Sequence, residues 1–210
     1  MKTIFSCLLL TAIAFTISCN NNQNTNAGVA LNPDAAVKQG VAPQADPEVA
    51  VVSTDYGNIT IELYSNIAPQ MVTRFKELAR EGFYDGTNFH RVDPRLGIIQ
   101  GGDPNTKNSN PADDGAGESP KPDVPAEFSD VPYETGIVGA ARQATPDTAN
   151  CQFFIMTKRQ AAFDKRYTVF GKVVDVQGNA VNLIAGAPTE PGTERPVSPQ
   201  IIKSITIQTR

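Results

Sequence analysis

The run Asn88-Phe89-His90-Arg91-Val92-Asp93-Pro94-Arg95-Leu96-Gly97-Ile98-Ile99-Gln100-Gly101-Gly102-Asp103-Pro104 holds two short strand candidates, Asn88–Arg91 and Gly97–Gln100, with turn residues between them. Gly101-Gly102 then supplies a turn or a close backbone approach. No P-loop pattern accompanies it, so it is not a phosphate cradle. Upstream, Val49, Val51 and Val52 lead into Asp55-Tyr56-Gly57-Asn58, and Ile59, Ile61 and Leu63 then alternate with Thr60, Glu62 and Tyr64. That pattern predicts a hairpin turning at Gly57-Asn58. Pro69 opens a helix, where its missing N–H costs nothing. Val72, Phe75, Leu78 and Ala79 share one face of it, and Gly82 stops it. Downstream, Gly136–Ala141, Cys151–Thr157 and Val169–Val174 are further strand candidates. Residues 178–186 form a short helix around Val181, Leu183 and Ile184, and an alternating strand covers 201–207. Many short strands, two helices and no regular strand–helix alternation predict a closed or sandwich β architecture. The 16 Gly and 16 Pro of the 210 residues agree with many turns.

The composition narrows the function. A hydrophobic fraction of 40% supports a real core, and a net charge of −4 argues against a nucleic-acid binder. Three cysteines and one histidine almost eliminate a zinc site, since a structural site would need all four of them as ligands. Met1 to Ser18 reads as an export signal. Lys2 is its positive end, and Ile4 to Ile17 is a charge-free, mostly apolar run shorter than the about 20 residues a membrane-spanning helix needs. Ser18-Cys19 resembles a bacterial lipobox, so Cys19 is expected as a lipid anchor and the protein as an exported, envelope-facing one. An ordinary cleaved signal with an incidental Cys19 is the alternative. Residues 19–47, with no aromatic residue, are expected as a solvated tether, and 48–210 as the folded domain. Cys151 is expected as a small buried filler.

Within 103–128 the acids invite a calcium reading. However, Asp103-Pro104-Asn105-Thr106-Lys107-Asn108 has Lys at the fifth position and no Gly at the sixth, so the acids are taken as a solvated surface. His90 invites a hydrolase reading, but no Gly-x-Ser-x-Gly accompanies it, and it is taken as a structural neighbour of a site. Phe153 and Phe154 fall on opposite faces of a strand, one to a core and the other to a pocket floor.

Five blocks carry chemistry together: Phe89-His90-Arg91, Gln100-Gly101-Gly102-Asp103-Pro104, Gly139-Ala140-Ala141-Arg142, Gln152-Phe153-Phe154-Ile155 and Val169-Phe170-Gly171-Lys172-Val173. In this order and spacing they resemble the cyclophilin family of peptidyl-prolyl cis/trans isomerases, in bacterial style, over about residues 48–210. The resemblance implies an eight-stranded antiparallel barrel capped by two α-helices, no cofactor, no metal, and Pro-containing segments of unfolded or flexible proteins as partners. A monomer is expected. The resemblance assigns Arg91, Gln100 and Phe154 to catalysis, with Gln100 binding substrate backbone and orienting Arg91. It assigns Phe89, Ile98, Ala141, Arg142, Gln152, Phe163 and Tyr167 to substrate binding; Ile98, Phe154 and Phe163 wall a proline pocket, and the backbone at Ala141-Arg142 receives the peptide.

Departures from the family pattern stand beside this. One extra residue lies between Arg91 and Gln100, and an aromatic usual near Leu96-Gly97 is missing. Ala162 stands where cyclosporin-sensitive members carry Trp, which implies weak cyclosporin binding. The missing aromatic motivates a second reading, a peptide-binding module with weak isomerase activity. A structural lipoprotein that displays the acidic loop is a third.

Overall fold

A computed structural model describes residues 37–175 and 179–210. Eight strands are β1 (Glu48–Thr54), β2 (Gly57–Leu63), β3 (Thr87–Asp93), β4 (Ile98–Asp103), β5 (Ile137–Ala140), β6 (Phe153–Met156), β7 (Val169–Val173) and β8 (Ile201–Thr209). The two helices are α1 (Pro69–Arg80) and α2 (Asn179–Ala185). The strands close antiparallel into a barrel in the order β1-β2-β7-β5-β6-β4-β3-β8. Closure leaves no edge strand with unpaired backbone groups. The expected barrel with two helices is therefore the observed one.

The hairpin turns two residues earlier than the sequence suggests. Thr54 pairs with Gly57, so the loop is Asp55-Tyr56. The Thr54 hydroxyl closes it, accepting from the Tyr56 N–H at 3.1 Å and donating to the Gly57 carbonyl at 2.8 Å. Gly57 leaves the turn at φ +110°, a conformation side chains disfavour.

Strand alternation then builds the core. Ala50, Val52, Ile59, Ile61, Leu63, Val92, Ile99, Val138, Phe153, Ile155 and Phe170 face inward and are buried in one cluster. The apolar face of α1 joins the same cluster, and the Phe75 ring lies 5.1–5.4 Å from the rings of Phe170, Tyr84 and Phe153. At its end Gly82 N–H donates to Ala79 and Phe83 N–H to Leu78, a paired stop that satisfies two terminal carbonyls. In α2, Ala180, Val181 and Ile184 are buried but Leu183 is exposed, so the packed face is narrower than expected.

Two acids of the 103–128 loop depart from its reading as a solvated surface, while Glu118 and Asp123 are exposed as expected. Asp103 is fully buried, accepting from the N–H groups of Asn105, Gly115 and Gly117, and so folds the loop around itself. Glu127 is also buried and accepts from Gln70 N–H at 3.1 Å and Met71 N–H at 3.0 Å. It supplies the N-terminal cap that Ala68 lacks. The loop acids replace backbone partners, which is what keeps a buried charge tolerable.

The segment from residue 37 to 47 is likewise bound to the domain rather than a solvated tether. Val37 is buried, Lys38 bridges to Ser129, and Asp46 pairs with Lys76 at 2.6 Å. Asn66 ties this segment at both ends of its amide, to Gln44 N–H and the Ala42 carbonyl. The export signal and Cys19 lie outside the described residues.

Candidate active site

The candidate residues come from the outer face of the barrel, where a second apolar cluster lies. Ile98, Phe154 and Met156 alternate outward from β4 and β6, and Ile137 and Val169 from β5 and β7. Tyr133, Phe163 and Tyr167 cover them from loops. Across the strands Arg91 pairs with Gln100, Gln100 with Phe154, and Phe154 with Gly139. These four positions form one row, and the side chains of Arg91, Gln100 and Phe154 share a face. The backbones of Arg91 and Phe154 are two strands apart, about 10 Å.

A bulge places Arg91 in that row. Phe89 pairs with Gly101 and Arg91 with Gln100, so His90 is the extra residue. Simple alternation from the inward Phe89 would turn Arg91 inward as well; the bulge reverses the phase. Phe89 itself is fully buried against Phe153, with ring centroids 5.9 Å apart. Its ring belongs to the interior core and not to the substrate groove where the family resemblance put it. Gly102, at φ +88°, is bulged out of the same ladder on β4. It thus serves the close backbone packing expected of Gly101-Gly102.

Arg91 is one-third exposed, and its Nη2 donates to Asp93 Oδ2 at 3.0 Å. Gln100, expected to orient Arg91, is bonded elsewhere. Its Nε2 donates to Gln152 Oε1 at 3.0 Å, while Gln152 Nε2 donates to the carbonyls of Gly115 and Gly117. The loop folded by Asp103 thereby sets Gln152, and Gln152 sets Gln100. The Arg91 guanidinium is instead bonded to Asp93, a residue missed in the sequence. Burial works against charge on Asp93, but the N–H groups of Leu96 and Arg95 and the guanidinium charges of Arg91 and Arg95 outweigh it. They hold its carboxyl below the usual range.

Phe154 is buried at the base of an aromatic box. Tyr133 stacks on it at 5.7 Å, and Phe163 and Tyr167 meet it edge-on at 5.6 Å. Ile98 belongs to the same cluster and Leu96 packs against it, so an aliphatic side chain covers the box near Leu96-Gly97. Tyr133 was not anticipated; the only sequence cue is an aromatic between Pro132 and Gly136, just before β5. A Cβ on Gly139 would come within 2.4 Å of Phe154 and 2.7 Å of the Tyr133 hydroxyl, so only Gly fits behind the box. That hydroxyl is buried with no hydrogen-bond partner among the described residues. An unpaired buried hydroxyl costs about 1–3 kcal/mol. Tyr133→Phe is therefore expected to raise stability by about 1 kcal/mol, read as a higher Tm; a lower Tm would show that the hydroxyl has a partner.

On the other side of Gln100 a cavity of about 330 Å³ is lined by Gly117, Ala141, Arg142, Cys151 and Gln152. The Arg142 side chain is engaged within the protein. Its guanidinium donates to the carbonyls of Arg166, Gln143 and Ala144 and lies 4.6 Å from the Tyr167 ring centre. What it offers the groove is backbone, just after β5 ends. Cys151 is buried, and burial pushes its thiol up to about 12, so it is protonated and inert at neutral pH. His90 is also buried, which pulls its imidazole down and keeps it neutral.

An exposed cationic donor, a fixed amide and an apolar box in one row need no covalent step to act on a peptide. The family model described as cyclophilin type peptidyl-prolyl cis-trans isomerase/CLD matches residues 49–207. The chain belongs to the cyclophilin family. A Brucella suis protein named as a probable peptidyl-prolyl cis-trans isomerase is 39% identical over 172 residues, covering 80% of this cyclophilin and 86% of the relative. A peptidyl-prolyl cis-trans isomerase of Schizosaccharomyces pombe is 35% identical over 163 residues, covering 74% and 97%. Among solved structures, a Cryptosporidium parvum cyclophilin crystallised in the presence of the dipeptide Ala-Pro superposes with a TM-score of 0.66 at 26% identity. It covers 77% of this cyclophilin and 99% of that chain.

Proposed function

We propose that this cyclophilin accelerates rotation about Xaa-Pro bonds in exported proteins and so assists their folding. The observation that carries the reading is the row Arg91–Gln100–Phe154 on the outer face. The Xaa-Pro bond turns slowly because amide resonance imposes a barrier of about 18–20 kcal/mol. The Phe154 box takes the proline ring, burying apolar surface. Gln100 and the backbone at Ala141-Arg142 hold the chain on the acyl side. Twisting the amide localises a lone pair on the proline nitrogen, and Arg91 donates to it. A donor that meets this lone pair only in the twisted form lowers the barrier without tightening ground-state binding. No bond is made or broken, so no cofactor or metal is needed. Exchange of an Ala-Pro peptide, followed by NMR with the unaltered protein and Arg91→Ala, tests the reading. Peptide binding without faster exchange would make the domain a binding module instead.

Lys2, the apolar run to Ile17, and Ser18-Cys19 support export and lipid anchoring through Cys19 at the bacterial cell envelope. In a bacterial host the intact mass of the mature protein is expected to show an acylated Cys19 at its N-terminus, lost in Cys19→Ser. An unacylated N-terminus would leave an ordinary cleaved signal.

A further inference from the structure

Asp93 lies beside the groove row on β3, with its side chain only 2% exposed. All its bonds are local. Oδ1 accepts from the N–H groups of Arg95 and Leu96 at 2.9 and 3.0 Å, and Oδ2 accepts from Arg91 Nη2 at 3.0 Å. The two backbone bonds fix the carboxylate through the turn Asp93-Pro94-Arg95-Leu96, so its free oxygen points one way, at Arg91. Arg95 is the other cation in reach, 3.8 Å from Oδ1, but it is 81% exposed and already paired with Glu194 at 2.6 Å. An exposed, screened partner contributes little.

We propose that Asp93 is a positioning residue for the isomerase reaction: its buried carboxylate locks the Arg91 guanidinium in the row beside Gln100 and Phe154. The proposal rests on the reading of Arg91 as the transition-state donor. The guanidinium spends one N–H on Asp93 and keeps the rest of its fork for the groove. Two effects of the carboxylate oppose each other. Its charge weakens the field of Arg91 at the proline nitrogen, and its fixed acceptor removes the rotamer freedom of a long side chain on an open face. The donation to the lone pair is short-range and directional, so the positioning effect wins.

Asp93→Asn keeps the shape and the acceptor for Arg95 and Leu96, but turns an amide N–H group toward Nη2. Two donors then face each other and the guanidinium leaves the row. The expected result is a fall in kcat of about tenfold with KM within about twofold. In an Arg91→Ala background the same substitution is expected to change neither, because Asp93 has nothing left to position. An equal loss in both backgrounds would make Asp93 only a support of its turn, and a gain in kcat would make it a brake on Arg91. Either result overturns the proposal, as does an unchanged kcat in Asp93→Asn while Arg91→Ala collapses. If Arg91→Ala itself keeps full kcat, the reading of Arg91 fails and this one with it. Should Asp93→Asn not fold, the ¹⁵N order parameter of Arg91 Nε–H in the unaltered protein decides. A value near that of rigid backbone, about 0.85, is expected, and one below about 0.6 contradicts the lock.

Discussion

Replacing Arg91 by alanine is expected to slow exchange about an Ala-Pro bond by about 10²–10³-fold. The reasoning is a difference between two states of the same amide. In the planar form the nitrogen lone pair is delocalised and accepts poorly, so Arg91 gains little. In the twisted form the lone pair is localised, and a fixed cationic donor in a partly desolvated groove gains the full charge-assisted bond. The loss therefore appears in kcat, and in kcat/KM equally, with KM little changed. Arg91→Lys is expected to recover only part of the rate. An ammonium on a flexible stem has no planar fork for the Asp93 carboxylate to hold while a second N–H faces the substrate. A rise in KM with kcat intact would instead make Arg91 a binding residue.

Phe154→Ala is expected to act on both stability and function. The ring is 3% exposed and meets Tyr133, Phe163 and Tyr167. Truncating a buried aromatic of this kind costs about 3–5 kcal/mol. At about 2–4 °C per kcal/mol for a domain of this size, Tm falls by on the order of 10 °C. Below that melt the folded variant lacks the floor of its proline pocket. The proline ring then leaves apolar surface in water at ~25 cal/mol per Å², and the affinity for Ala-Pro peptides falls by about tenfold or more. Phe154→Leu restores most of the volume, and with it most of the stability, but not the flat surface for the proline ring. A Tm unchanged in Phe154→Ala would contradict the burial, and an unchanged peptide affinity would move the pocket elsewhere.

Phe154 was legible in the sequence because a strand's parity is local. Phe153 and Phe154 had to face opposite ways, and they do, one in the barrel and one on its outer face. The α1 face, the first hairpin and the last strand were readable for the same reason of period, and the five middle strands from the turn residues that separate them. Arg91 was legible only through family resemblance. Parity counted from Phe89 puts its side chain inside the barrel, and the bulge at His90 that reverses it has no signature in the residues themselves. The same bulge explains why Phe89, adjacent in the motif, is core. Polar residues were read least well. Asp103, Glu127 and Asp93 look like surface acids until their partners are in place, and those partners are backbone N–H groups of distant or turning segments. Asp93 did carry a cue, an Asp before Pro at the head of a turn. Tyr133 carried almost none, since a loop aromatic has no period to betray the face it covers.

The central claim is that the row Arg91–Gln100–Phe154 catalyses rotation and does not merely bind proline. Exchange NMR on an Ala-Pro peptide with the unaltered protein and Arg91→Ala reports both quantities in one titration, affinity from the shifts and the cis/trans rate from the exchange peaks. The expected result is strong acceleration by the unaltered protein and its loss in Arg91→Ala, at nearly equal affinity. Acceleration that survives in Arg91→Ala would contradict the account, and so would a loss of rate matched by an equal loss of affinity.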